Sequence, residues 1–103
     1  MYNKLQYGGV THGTSTGSTT CTAAIAAVSG KQHHVVAAQA GSDLATSVLL
    51  IKDGITTIFQ HFMAANRGAI EFPAPLPITS GASCSATITG TNTCTANIQV
   101  ITV

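Results

Sequence analysis

The chain has 103 residues, enough for one domain around one hydrophobic core, whereas a second independent core would be too small to hold itself together. Hydrophobic residues make up 45% but charged residues only 7%, against roughly 25% in a typical soluble domain. The surface therefore has only Lys4, Lys31, Lys52, Arg67, Asp43, Asp53 and Glu71 to supply charge, which predicts that partners cover much of it. A formal net charge of +1 without clustered Lys and Arg argues against nucleic acid or anionic membrane as a partner.

Residues 1–18 carry Gly8, Gly9, Gly13 and Gly17 among Thr and Ser with no apolar period, so they read as an extended N-terminal arm. The first nine residues lack the apolar stretch of a secretory signal, which predicts no export signal of the chain's own. From Thr19 to Val103 the sequence is rich in Thr, Val and Ile and punctuated by Gly, Asn, Asp and Pro. Strands are expected near 19–28, 33–40, 46–52, 55–63, 69–72, 76–79, 83–89 and 93–102. That number suits a single-domain, all-β, antiparallel sandwich of jelly-roll-like type spanning residues 19–103. The apolar run at 48–51 is far shorter than the roughly 20 residues that cross a bilayer. Asn66-Arg67-Gly68 reads as a turn, and Pro73, Pro75 and Pro77 read as an extended link or a sheet edge, since they donate no ladder hydrogen bonds.

Two hairpins are expected. In the first, Asp53-Gly54 suits a two-residue type I′ turn, which sets Lys52 opposite Ile55, Leu50 opposite Thr57 and Val48 opposite Phe59. Ile51 and Leu49 then face Thr56 and Ile58 on the other side. Both faces of this ribbon are apolar near Val48–Leu50, although a sheet with one wet face should alternate. One face enters the core and the other needs a cover, which a neighbouring subunit is expected to supply, with the N-terminal arm as the alternative. In the second hairpin a loop at 90–92 joins 83–89 to 93–99. Its parity places Cys84, Ala86, Ile88, Cys94, Ala96 and Ile98 inside, and Ser85, Thr87, Thr89, Thr93, Thr95 and Asn97 outside.

The residues with chemical potential do not group into a known site. Three cysteines cannot all pair within one chain. In the expected register Cys84 and Cys94 lie on the order of 13 Å apart along the ribbon, beyond the roughly 7 Å that a disulfide spans between Cα atoms. Buried reduced thiols acting as small apolar side chains are the expectation, as intracellular assembly would keep them. His12, His33, His34 and His61 show no metal-ligand spacing, and His33 and His34 on one strand point to opposite faces. Asp43, Asp53 and Glu71 are the only carboxylates, too few for an acid and base pair once Asp53 serves a turn. There is no Gly-x-Ser-x-Gly elbow and no phosphate-binding Gly loop. No enzyme activity, cofactor or metal is expected.

The run Thr19-Thr20-Cys21-Thr22-Ala23-Ala24-Ile25-Ala26-Ala27-Val28-Ser29-Gly30-Lys31, the Lys52-Asp53-Gly54 hairpin and the closing segment 81–103 together resemble the small all-β virion proteins of tailed bacteriophages, capsid decoration (cement) proteins above all. The likeness covers roughly 19–103 in layout. It implies a homotrimeric jelly-roll subunit on the outer surface of a virion, assembled in the host cytoplasm, that binds the major capsid protein and braces its contacts. A small tail or fibre component with a receptor- or glycan-binding sandwich is the alternative. No Trp is present to stack on sugars. The contact residues expected on this basis are Tyr2, Leu5 and Tyr7 in the arm and Leu49, Ile51 and Ile58 in the apolar hairpin.

Overall fold

The strand-forming sequence folds into eight antiparallel strands, seen in a computed structural model that describes residues 11–44, 47–63 and 66–103. They are β1 (Thr11–Gly17), β2 (Thr20–Ile25), β3 (His33–Ser42), β4 (Val48–Asp53), β5 (Thr56–Phe62), β6 (Arg67–Pro77), β7 (Cys84–Thr89) and β8 (Cys94–Thr102). One sheet has the order β1-β8-β3-β6 and the other β2-β7-β4-β5. The described residues contain no helix. The all-β sandwich expected from the Thr- and Val-rich pattern is what forms.

Pairing follows a simple rule. β1 pairs with β8, β2 with β7, β3 with β6 and β4 with β5, so the chain is one long hairpin rolled up until it meets itself. Two further pairings, β3 with β8 and β4 with β7, join the rolled layers into sheets. Only the turn between β4 and β5 connects neighbours within a sheet; every other connection crosses the sandwich.

The core is where the two inner faces meet. Cys21, Ala23 and Ile25 of β2, Cys84, Ala86 and Ile88 of β7, and Leu49 and Ile51 of β4 are buried against Cys94, Ala96, Ile98 and Val100 of β8 and Val35, Ala38 and Ala40 of β3. Each fully buried Ile, Leu or Val contributes on the order of 2 kcal/mol. Many core positions are Ala or Cys, so the layers rely on close approach rather than on large side chains.

Several expectations are corrected by these facts. Residues 11–17, assigned to the arm, form β1 at the edge of a sheet, paired from Thr11 opposite Val100 to Gly17 opposite Cys94; residues 1–10 lie outside the described residues. The strands expected at 69–72 and 76–79 are one strand, β6, and its prolines do lie on a sheet edge as read. Between Val35 and Ala37 the β3 register shifts, and the stretch 72–75 opposite has no ladder partner there. Pro73 and Pro75 supply no N–H in any case. Asn66 has φ 44°, the left-handed turn that Asn66-Arg67-Gly68 signalled.

β7 and β8 do not form a hairpin. Their inward parity is as expected, but β7 pairs with β2 and β4 while β8 pairs with β1 and β3. Both strands have one apolar face, and the fold packs those faces against each other across the sandwich instead of laying them side by side. The crossing loop is held by Asp43, whose carboxylate accepts from the Thr91 N–H (2.7 Å), the Thr91 hydroxyl (2.9 Å) and the Asn92 N–H (2.7 Å). The Gly90 N–H also donates to the Thr19 carbonyl (2.8 Å), tying the loop to the β1–β2 turn.

The β4–β5 turn is displaced by one residue from the expected one. Asp53 pairs with Thr56, so Gly54-Ile55 is the loop. Gly54 has φ 61° and Ile55 does not have a positive φ, the pattern of a type II′ turn with Gly at its first central position. Asp53 stays in the ladder because its carboxylate accepts from the Thr79 N–H (3.0 Å) and hydroxyl (2.7 Å), while the Gly54 N–H donates to Ser83 (2.8 Å).

Candidate interaction surface

The displaced turn decides which side chains of the β4–β5 ribbon meet water. Lys52 faces Thr57, then one extra residue, Ile58, bulges out of β5, and the register resumes as Ile51–Phe59, Leu50–Gln60, Leu49–His61 and Val48–Phe62. Successive residues of a strand point to opposite faces. Leu49, Ile51 and Phe59 therefore turn inward, and Val48, Leu50, Gln60 and Phe62 turn outward. Burial agrees: Leu49 and Ile51 are wholly buried and Phe59 packs against the core, whereas Phe62 is 76% exposed and Ile58 37% exposed. Ile55, at the tip of the turn, is 96% exposed.

The contact residues expected from the sequence are thus separated by the fold. Leu49 and Ile51 belong to the core and are corrected to that role, because their parity with Phe59 leaves no route to the surface. Ile58 is on the surface. Tyr2, Leu5 and Tyr7 lie outside the described residues. Phe62, Val48, Leu50 and Ile55 were not chosen as contact residues, because a turn assigned one residue early and the bulge at Ile58 together place Phe59 where Phe62 stands. No local signal marks the true turn, since Asp53 is held by Thr79 and Gly54 by Ser83, both remote in sequence.

Outward from β4 and β5 the surface is an apolar strip. Val48 and Leu50 are half-buried and lie beside Phe62 and Gln60 in register. Farther across the same sheet the outer face becomes polar, with the Thr22 and Thr87 hydroxyls hydrogen-bonded at 3.2 Å. The outer face of the other sheet carries a shallow groove of about 850 Å³ over β3, walled by Glu71, Pro73 and Pro75 on one side and Gln99 and Ile101 on the other. Among the described residues no buried side-chain nitrogen or oxygen lacks a hydrogen-bond partner, and none of the His, Cys, Asp and Glu side chains gather as a metal site.

Several of the remaining polar groups have structural partners. His33 is buried, its Nε2 donating to the Ala26 carbonyl (2.8 Å) and its Nδ1 hydrogen-bonded to the Thr102 hydroxyl (2.7 Å). His34, next along β3, is half-exposed on the opposite face. The Thr91 N–H leads the set of donors that lower the Asp43 carboxyl from 3.8 to about 2. Burial pushes the Cys84 thiol up to about 11, with the Asp53 charge adding to the shift. Cys84 is the free cysteine. Cys21 and Cys94 form a disulfide between the two sheets with Cα atoms 6.0 Å apart. That corrects the expectation of three reduced thiols: β1 brings Gly17 beside Cys94, and the short turn into β2 sets Cys21 across from it.

No protein-family model matches this chain, and no curated protein matches it. Among solved structures it is similar to the periplasmic inhibitor of g-type lysozyme PliG from Aeromonas hydrophila, at 9% identity and a TM-score of 0.41, over 91% of this chain and 84% of that one. The expectation of a capsid decoration protein, with its tail-fibre alternative, is corrected here. That structure is a periplasmic lysozyme inhibitor rather than a virion protein, and with no matching family model or curated relative beside it, the capsid reading is withdrawn. At that TM-score the likeness assigns no function to this chain.

Proposed function

We propose that this chain is a non-catalytic sandwich subunit, wound as a jelly roll, that works through apolar contact between its outer β4–β5 face and another polypeptide. The observation that carries the reading is Phe62, three-quarters exposed beside Val48 and Leu50 in register. Scattered apolar residues are ordinary on a protein surface, but contiguous ones mark contact sites. With 7% charged residues, the chain has little electrostatic repulsion to keep that strip apart from another protein.

The fate of the carboxylates supports the absence of catalysis. Asp43 and Asp53 are engaged as structural hydrogen-bond acceptors. Asp43, held at about 2, is poorly matched to proton transfer near neutral pH. The Cys21–Cys94 disulfide supports maturation in an oxidising compartment, since such bonds persist where thiols are not kept reduced.

Hydroxyl-radical footprinting tests the reading. The protein in native extracts of its source is compared with dilute purified protein, with Ile55 as an internal reference because it stands clear at the turn. Protection of Phe62 and Ile58 relative to Ile55 is the expected result. Equal oxidation in both samples would contradict a covered β4–β5 face.

A further inference from the structure

The sandwich has four edge strands, and they are not equally protected. β1 and β2, at one side, close on each other: a Cβ on Gly13 would stand 3.0 Å from the Ala24 carbonyl oxygen and 3.1 Å from the Ile25 side chain. β6 is blunted by Pro73, Pro75 and Pro77. β5 is packed differently: it leans on β6 through side chains, with His61 and Met63 over Gly68 and Phe59 against Phe72, and among the described residues its backbone edge pairs with no strand beyond β4. Its residues 56–62, Thr-Thr-Ile-Phe-Gln-His-Phe, include no Pro, Lys, Arg, Asp or Glu, the devices that commonly guard an edge. The bulge falls at Ile58 and leaves Phe59–Phe62 in regular register with β4.

We propose that a second copy of the chain occupies this edge, joined β5 to β5 in antiparallel fashion about a two-fold axis at Gln60, and covers Phe62 and Ile58 at the rim of the outer β4–β5 face. The two four-stranded sheets then continue into each other. This rests on the reading of the β4–β5 face as a covered surface, and it names the partner. Two features of the edge favour a copy. Residues 54–66 carry no formal charge, so the edge offers no counter-charge to select an acidic or basic protein and no repulsion against itself. The outward residues are also self-complementary: with Gln60 opposite its own symmetry mate, the exposed Phe62 of each copy comes beside the bulged, exposed Ile58 of the other. Phe59 then lies opposite His61 of the other copy. Isologous pairing of this kind closes after two copies, so the edge is consumed rather than propagated into fibres.

Register-specific cross-linking tests the proposal. In the two-fold pairing the Gln60 Cα atoms are opposed at roughly 5 Å, within disulfide reach, while the two Thr57 are about six strand positions, or roughly 20 Å, apart. Under mild oxidation Gln60→Cys is expected to give a covalent dimer, and Thr57→Cys and the unaltered chain none. Light scattering is expected to show a reversible dimer that Phe62→Lys weakens on the order of 10- to 100-fold, as for a central apolar anchor, with its melting curve unchanged in protein dilute enough to be monomeric. Ile55→Lys, beyond the paired run, should leave the dimer intact.

A monomer at high concentration with no Gln60→Cys product would overturn the second copy as partner. Footprint protection of Phe62 in native extracts would then still hold for a different polypeptide, and its absence would remove both readings. Cross-linking through Thr57→Cys would overturn the two-fold register.

Discussion

The two sides of the sandwich are closed by different means. At the β1–β2 side the sheets are joined covalently by Cys21–Cys94, Gly13 allows one edge to lie against the other, and the β7–β8 loop is tied in by Asp43 and Thr19. At the β5–β6 side the closure is by side-chain contact, Phe59 edge-to-face with Phe72 at 5.1 Å between ring centroids and 80° between planes, and His61 and Met63 over Gly68. Beyond it Phe62 and Ile58 face outward. A sandwich needs both sides shut, and what differs is what does it: one side is sealed within the chain, whereas the other leaves an edge strand free to take on another strand.

The largest expected effect breaks the sealed side. Replacing both Cys21 and Cys94 by Ser removes a cross-link across 73 residues, which on the chain-entropy account costs about 4 kcal/mol. Urea unfolding of this variant should match that of the wild type in strong reductant; no shift in either would mean that the bond adds nothing to the fold. On the other side, Phe59→Ala should cost about 2 kcal/mol, less than a fully buried Phe because the ring is only half-buried. Thermal melts should show it, and Phe72→Ala added to it should cost less than the two singles combined, since they share one contact.

The acid response sharpens the same comparison. The Asp43 value is lowered from 3.8 to about 2, so its contribution is fully present above the ordinary value and is lost as pH falls toward about 2. Melting temperature should drop through that window in the wild type, and Asp43→Asn should start lower and lose that part of the slope. Amide exchange should place the acid-induced opening at 90–93, on the sealed side. Cys84, raised to about 11, should resist alkylation at mildly alkaline pH until the domain unfolds. The smallest effect is expected from Phe62→Thr, which in dilute, monomeric protein should change stability by no more than about 0.5 kcal/mol, because the ring has no place in the core.

Parity was the legible part of this fold. Alternation alone placed Cys84, Ala86, Ile88, Cys94, Ala96 and Ile98 inside, and all six are buried. What alternation does not contain is which apolar face meets which, so β7 and β8 read as a hairpin although they face each other across the core. The β4–β5 strip shows the same limit at finer scale. Asp-Gly and Gly-Ile both make sound two-residue turns, and Asp53 is committed to β4 by Thr79, remote in sequence. The bulge at Ile58 then shifts Phe59 inward and Phe62 outward, beyond what a period of two can register. The disulfide was hidden for a similar reason: β1 had no apolar period because Gly and Thr suffice at an edge, and without β1 nothing brings Cys21 to Cys94.

The most direct test of the account follows amide hydrogen exchange at both sides of the sandwich as protein concentration is raised. Exchange in β5, residues 56–62, is predicted to slow with concentration while β1 and β2 stay constant. Concentration-independent exchange in β5, in a protein whose Phe62 is equally oxidised in native extracts and in dilution, would contradict the claim that this edge exists to be joined.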